Sequence, residues 1–83
     1  MSPEEKKEVE KITKVFSKIK KDNKLTTAET DDFMSDITKL IGMYGAHKRE
    51  KISVLIEEML VFGDNNLLAV DGLRLEFKKA KQL

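Results

Sequence analysis

The chain has 83 residues, of which 40% are hydrophobic and 37% are charged, and its net charge is +1. This length predicts a single small domain over residues 1–83, with a core of limited size. The near-neutral charge excludes strong overall steering onto nucleic acid, and the absence of cysteine excludes disulfides and thiolate zinc sites. The longest apolar runs have four residues, so we expect no membrane-spanning helix and a cytoplasmic protein.

The first predicted element is a helix at about residues 3–21. It follows Ser2, whose hydroxyl can cap the helix, and Glu5 stands where it completes a capping box. Hydrophobic side chains recur at three- and four-residue spacing and form one narrow stripe that would face the core. The members of this stripe are Val9, Ile12, Val15, Phe16 and Ile19.

A second helix is predicted at about residues 27–44. Thr26 and Glu29 repeat the capping-box spacing at its start. We expect the helix to break near Gly45, because glycine weakens a helix interior. Its core face consists of Phe33, Ile37, Leu40, Ile41 and Tyr44.

The third predicted helix covers about residues 47–62 and is closed by Gly63. Val54 and Val61 lie seven residues apart, nearly opposite a wide core face. A helix that is apolar on two sides needs a cover on both, supplied by another part of the chain or by a partner. The core face consists of Ile52, Leu55, Ile56, Met59, Leu60 and Phe62.

The segment LLAVDGLRLEF, residues 67–77, fits a helix poorly, because at 100° per residue its apolar side chains scatter around the circumference. It fits a β-hairpin at about residues 67–78, because Asp71-Gly72 is a favoured pair for a type I′ turn. That register places Leu68, Val70, Leu73, Leu75 and Phe77 on one face. The predicted fold class is therefore α+β and mostly helical, with three helices followed by a C-terminal β-hairpin that packs on the third helix. The alternative is an all-α four-helix bundle.

No pattern of residues predicts catalysis. Asp32 and Asp36 share a helix face, but acids near a helix start are explained by the helix dipole, and His47 has no second histidine. We therefore expect no catalytic residues, no metal site, no cofactor and no enzyme activity. Small, lysine-rich, cysteine-free chains of this kind are common among accessory proteins of phages and bacteria.

The sequence favours a small non-enzymatic interaction protein: a regulator, adaptor or inhibitor that binds a macromolecular partner. Val54 and Val61 are the predicted partner-binding residues, and self-association into a homo-oligomer is a further expectation, because it would enlarge a small core. The alternative is a nucleic-acid-binding module, in which the basic start of the third helix contacts phosphate. The residues of that alternative site are His47, Lys48, Arg49 and Lys51.

Overall fold

The computed structural model describes residues 1–82 and contains four α-helices and no strand over that range. The helices are α1 (Pro3–Asp22), α2 (Thr27–His47), α3 (Glu50–Asn65) and α4 (Asp71–Gln82). The predicted combination of three helices with a C-terminal β-hairpin is therefore wrong, and the all-α four-helix alternative is closer to the observed fold.

The first two helices begin at the predicted capping boxes. The Ser2 hydroxyl oxygen accepts a hydrogen bond from the Glu5 backbone N–H at 3.1 Å, and the Glu5 carboxylate accepts one from the Ser2 N–H at 3.0 Å. Thr26 and Glu29 make the same reciprocal pair, at 3.1 Å and 3.0 Å. These bonds satisfy backbone donors that have no partner inside a helix.

The C-terminal end of α2 and the start of α3 differ from the predicted bounds. Gly45 lies inside α2, which continues to His47 and ends where Lys48 adopts a left-handed conformation, with φ of 53°. The Lys48 N–H donates to the Tyr44 carbonyl at 2.8 Å and closes the last turn. Helix α3 then begins at Glu50 rather than at His47.

Gly63 does not close α3, which continues to Asn65. A Cβ atom at position 63 would lie 2.9 Å from Val70 Cγ1 and 3.3 Å from Phe33 Cε2. Glycine is therefore required there because Val70 packs directly against the α3 backbone, rather than because the helix stops.

Consecutive helices run antiparallel, and α2 contacts all three of the others. Contacts between aromatic rings show how the helices are oriented. Phe33, near the start of α2, lies 5.9 Å from Phe16 of α1 and 5.9 Å from Phe62 near the end of α3, measured between ring centroids. Tyr44 near the end of α2 lies 5.4 Å from Phe77 in the second half of α4. The three phenylalanines form the aromatic centre of the core, and the Tyr44 contact joins α4 to it.

The predicted hairpin is replaced by a short connection and α4. The Val70 carbonyl accepts the first helical hydrogen bond of α4 from the Arg74 N–H at 2.9 Å. Gly72 lies inside the first turn of α4 and has no positive φ, so the type I′ turn is absent.

The helical pattern of this segment becomes visible once exposed leucines are set aside. Leu67 is 93% exposed and Leu75 is 53% exposed, so neither belongs to a core face. The helical interpretation was rejected in error, because the exposed Leu67 and Leu75 were counted with the residues that a helix would have to bury. The residues that do face the core are spaced three or four apart, as a helix requires: Val70, Leu73, Phe77 and Ala80.

Candidate functional site

The outer face of α3 carries the two valines predicted to bind a partner. Val54 is 46% exposed and Val61 is 57% exposed, whereas Ile56 between them in sequence is completely buried. The two valines lie two helical turns apart on the side of α3 that faces away from α2. We call Val54 and Val61 the valine seam.

Neighbouring helices reach the edges of the valine seam without covering it. On one edge, Glu58 pairs with Lys20 of α1 at 3.6 Å. On the other, Glu57 pairs with Lys81 of α4 at 2.9 Å. The predicted cover by a β-ribbon from the same chain is wrong, because that ribbon does not exist and α4 lies beside the seam.

A groove separates α3 from α4 on the same side of the molecule. Leu60 and Phe77 line it from the core, and its cavity volume is about 250 Å³. Ion pairs cross from one helix to the other, from Glu57 to Lys81 and from Asp64 to Arg74, the second at 3.7 Å. Exposed ion pairs of this kind contribute little to stability, so opening them for an outside partner would cost little free energy.

The predicted basic cluster is divided between two environments. The His47 ring nitrogen Nε2 lies 2.8 Å from a Glu5 carboxylate oxygen. Lys48 donates from Nζ to the backbone carbonyl of Ala80 and also lies over the Tyr44 ring. Both side chains are therefore engaged with their own chain, and His47 with Lys48 joins α1, α2 and α4 at one end of the bundle.

Glu5 has an unusual carboxyl group as a result. The hydrogen bond from the Ser2 backbone N–H, followed by the contact with His47, lowers the pKa of Glu5 from its ordinary 4.5 to about 2. A depressed pKa means that the folded state favours the ionised carboxylate. Glu5 accordingly serves as both a helix cap and the partner of His47.

Arg49 and Lys51, the other two members of the basic cluster, are exposed and take part in none of the ion pairs within residues 1–82. They line an open groove of about 330 Å³ together with Lys6 and Glu10 of α1. Arg49 precedes the first turn of α3, and no side chain caps that end of the helix. This groove therefore combines basic side chains with the start of a helix that has no side-chain cap, although Glu10 places an acid among them.

A third groove collects the acidic residues noted in the sequence. Asp32 and Asp36 of α2 line it with Glu8 of α1 and Lys39. Burial, and then the charges of Glu8 and Asp32, raise the pKa of Asp36, while Lys39 lowers it. Within residues 1–82, no group of three or more histidine, aspartate or glutamate side chains has a geometry that could hold a metal ion.

Leu67 is a surface feature that the sequence reasoning missed. It has φ of 62°, a left-handed conformation that is costly for a leucine, and its side chain is 93% exposed. The Leu68 N–H donates to the Gly63 carbonyl at 2.9 Å and the Leu67 N–H to the Asp64 carbonyl at 3.0 Å. These bonds form a Schellman motif, in which glycine usually occupies the position of Leu67.

Comparison with known proteins leaves the site to be interpreted from its own geometry. No protein-family model matches the chain, and searches among curated proteins and among solved structures find no match either. Over residues 1–82, none of the helices combines the length and the apolar character needed to cross a bilayer.

Proposed function

We propose that this chain is a small non-enzymatic interaction protein that binds a macromolecular partner through the valine seam of α3. The observation that carries the proposal is that Val54 and Val61 remain about half exposed after all four helices have packed. Two β-branched apolar residues, two turns apart on one helix face, offer a partner helix or loop a strip to cover.

The energetics of such a contact are modest and suit a regulator or adaptor. Covering a valine side chain completely contributes about 1.5 kcal/mol, and the seam begins half covered, so the two valines alone give weak binding. Charged residues at the edges would orient the partner rather than add much affinity. The seam therefore supports a reversible contact more readily than a permanent one.

The proposal is tested with the double variant Val54→Gln and Val61→Gln. Glutamine is a good helix former, so α3 should remain folded while the seam becomes polar. The tagged chain and the variant would be compared by affinity capture and cross-linking in an extract of the native host. We expect the variant to lose the macromolecules that the parent chain captures.

Val15 supplies the matched control, because it is 42% exposed but lies on α1, in the groove with Asp32 and Asp36. Val15→Gln should leave capture unchanged. If the seam variant captures the same partners as the parent chain and the Val15→Gln control, then the seam is not the binding surface.

A nucleic-acid-binding module is the second candidate, favoured by the groove that Arg49 and Lys51 share with Lys6. Phosphate contacts by these residues would make binding fall steeply as salt is raised. Arg49→Glu with Lys51→Glu should then abolish a mobility shift with duplex or single-stranded probes, without affecting the fold. An absence of any salt-sensitive shift with the parent chain would remove this candidate.

A further inference from the structure

The outward surface of the α3–α4 pair has charges arranged in two parallel rows. On α3, three exposed acids follow one another at seven-residue spacing, and the middle one lines the groove. Residues seven apart lie on the same side of an α-helix, so these acids form a straight row. We call this set the acidic row: Glu50, Glu57 and Asp64.

The facing edge of α4 carries the opposite charge. Three exposed basic residues line the groove from that side, and two of them pair with the acidic row, Arg74 with Asp64 and Lys81 with Glu57. Within residues 1–82, Lys78 and Glu50 take part in none of the ion pairs, so each row keeps a charge available to an outside partner. We call this set the basic row: Arg74, Lys78 and Lys81.

Apolar side chains lie outside both rows. The valine seam follows the outer edge of the acidic row on α3, since Val54 is offset by about 40° from Glu50, and Val61 by about 40° from Glu57, on a 100° helical spacing. On α4, the same spacing places the half-exposed Leu75 beyond the basic row, on the side away from the core. The surface thus has four strips in order: apolar, acidic, basic and apolar.

We propose that this surface is an interface with a second copy of the same chain, related by a two-fold axis that runs along the α3–α4 groove. Rotation about such an axis brings α3 of one protomer against α4 of its partner. Glu57 and Asp64 then face the level of Lys81 and Arg74 on the other copy, and Val61 lies near the level of Leu75, twice over. A two-fold axis perpendicular to the helices would instead set acid against acid, so the charge pattern selects one arrangement.

The charges of the chain support a second copy as the occupant. A net charge of +1 gives two copies almost no mutual repulsion. The same surface also carries both the acidic row and the basic row, so a second copy supplies the opposite charge to each.

This inference rests on the proposed function, because it names the partner of the same seam. It is tested first by sedimentation velocity of the full chain over a hundredfold range of concentration. We expect the mass to rise with concentration from that of one chain, 9.5 kDa, toward twice that value. A mass that stays at one chain throughout would overturn the second copy.

Charge reversal tests the proposed axis. One variant carries Glu50→Lys with Glu57→Lys, and the other carries Lys78→Glu with Lys81→Glu. In a two-fold dimer of either variant, the reversed row of one copy faces a row of the same charge on the other copy. The dissociation constant of the dimer should therefore rise at least tenfold for each variant alone. Mixed together, their surfaces are complementary again, and the dimer should return as a heterodimer.

General attraction between oppositely charged chains is controlled by a matched variant of α1. Lys7→Glu with Lys14→Glu reverses two exposed charges on a helix that contributes no residue to the groove, so this variant should dimerise like the parent chain and gain nothing from mixing. Dimerisation of either groove variant at the parent's strength, or failure of the mixture to recover, would overturn the proposed interface.

The outcomes also separate this inference from the proposed function. A chain that stays monomeric but loses captured partners in the Val54→Gln, Val61→Gln variant overturns the second copy and keeps the seam as a site for a different protein. If the seam variant changes neither mass nor capture, then both proposals fail.

Discussion

The connection between α1 and α2 and the connection between α3 and α4 are stabilised in different ways. Between α1 and α2, Asn23 takes the left-handed conformation, which asparagine tolerates, and Thr26 caps the next helix through its side chain. Between α3 and α4, Leu67 takes that conformation, and the residue before α4 is Val70, which has no side-chain oxygen. The first connection is specified by local chemistry, whereas the second depends on what its residues pack against.

Burial explains how the second connection is held. Val70 is completely buried, and it lies against Gly63 and beside Leu68, which folds back over the end of α3. The free energy for this turn therefore comes from tertiary packing of Val70 rather than from a cap. Four variants test this contrast, from the largest expected effect to the smallest.

The largest effect is expected from Gly63→Ala. The added methyl would lie 2.9 Å from Val70 Cγ1, and the stiff, buried valine has little freedom to move away. Overpacking of this kind costs about 1–3 kcal/mol in the free energy of unfolding. Denaturant titration should show the loss, and stability equal to that of the parent would mean that Val70 is not seated against α3.

Leu67→Gly should raise stability by about 1 kcal/mol, because glycine adopts positive φ without strain and the leucine side chain makes almost no contact. Thermal denaturation would record a higher melting temperature. A lower one would show that Leu67 is packed in the folded chain, in conflict with its exposure.

Thr26→Ala should lower stability by about 1 kcal/mol, because it removes the side-chain half of a capping box. The helix should lose order mainly in its first turn, which hydrogen exchange of the amides of α2 would detect. Thr26→Ser keeps the hydroxyl and is the matched control. If the two variants are equally stable, then α2 is held by packing alone and the contrast between the connections disappears.

Gly72→Ala gives the smallest effect and discriminates directly between helix and hairpin. Nothing lies within 4 Å of a Cβ atom at this position in the first turn of α4, so alanine should stabilise the chain by about 0.5 kcal/mol. In a type I′ hairpin the same change would destabilise, because alanine resists positive φ. The sign of the change in denaturation midpoint decides the question.

The same contrast shows what the sequence could predict. The starts of α1 and α2 and most of the core were predictable, because caps and helical spacing are local signals that packing did not override. The structure of residues 67–78 was not predictable in this way. Asp71-Gly72 forms the start of a helix here instead of a turn, and Leu67 and Leu75 stay exposed although they are apolar. Which leucines face water is decided only when α4 packs against α2 through Phe77.

The candidate site was predictable in the same uneven way. The spacing of Val54 and Val61 alone predicts the valine seam. The seven-residue spacing of Glu50, Glu57 and Asp64 is a similar local signal for the acidic row, but the acidic row was not predicted. The engagement of His47 with Glu5 could not be foreseen, because these residues are 42 positions apart and meet only through the packing of α1 on α2.

The central claim is that the outer face of α3 is solvent-exposed in the folded monomer and available to a partner. It is tested most directly by comparing Val54→Asp with Ile56→Asp, which place the same charge on opposite faces of one helix. Circular dichroism at a concentration where the chain is monomeric should show Val54→Asp folded, with stability within about 0.5 kcal/mol of the parent. Ile56→Asp should be unfolded, because an unpaired carboxylate would be buried. Unfolding of Val54→Asp would contradict the account, since it would mean that the valine seam is part of the core.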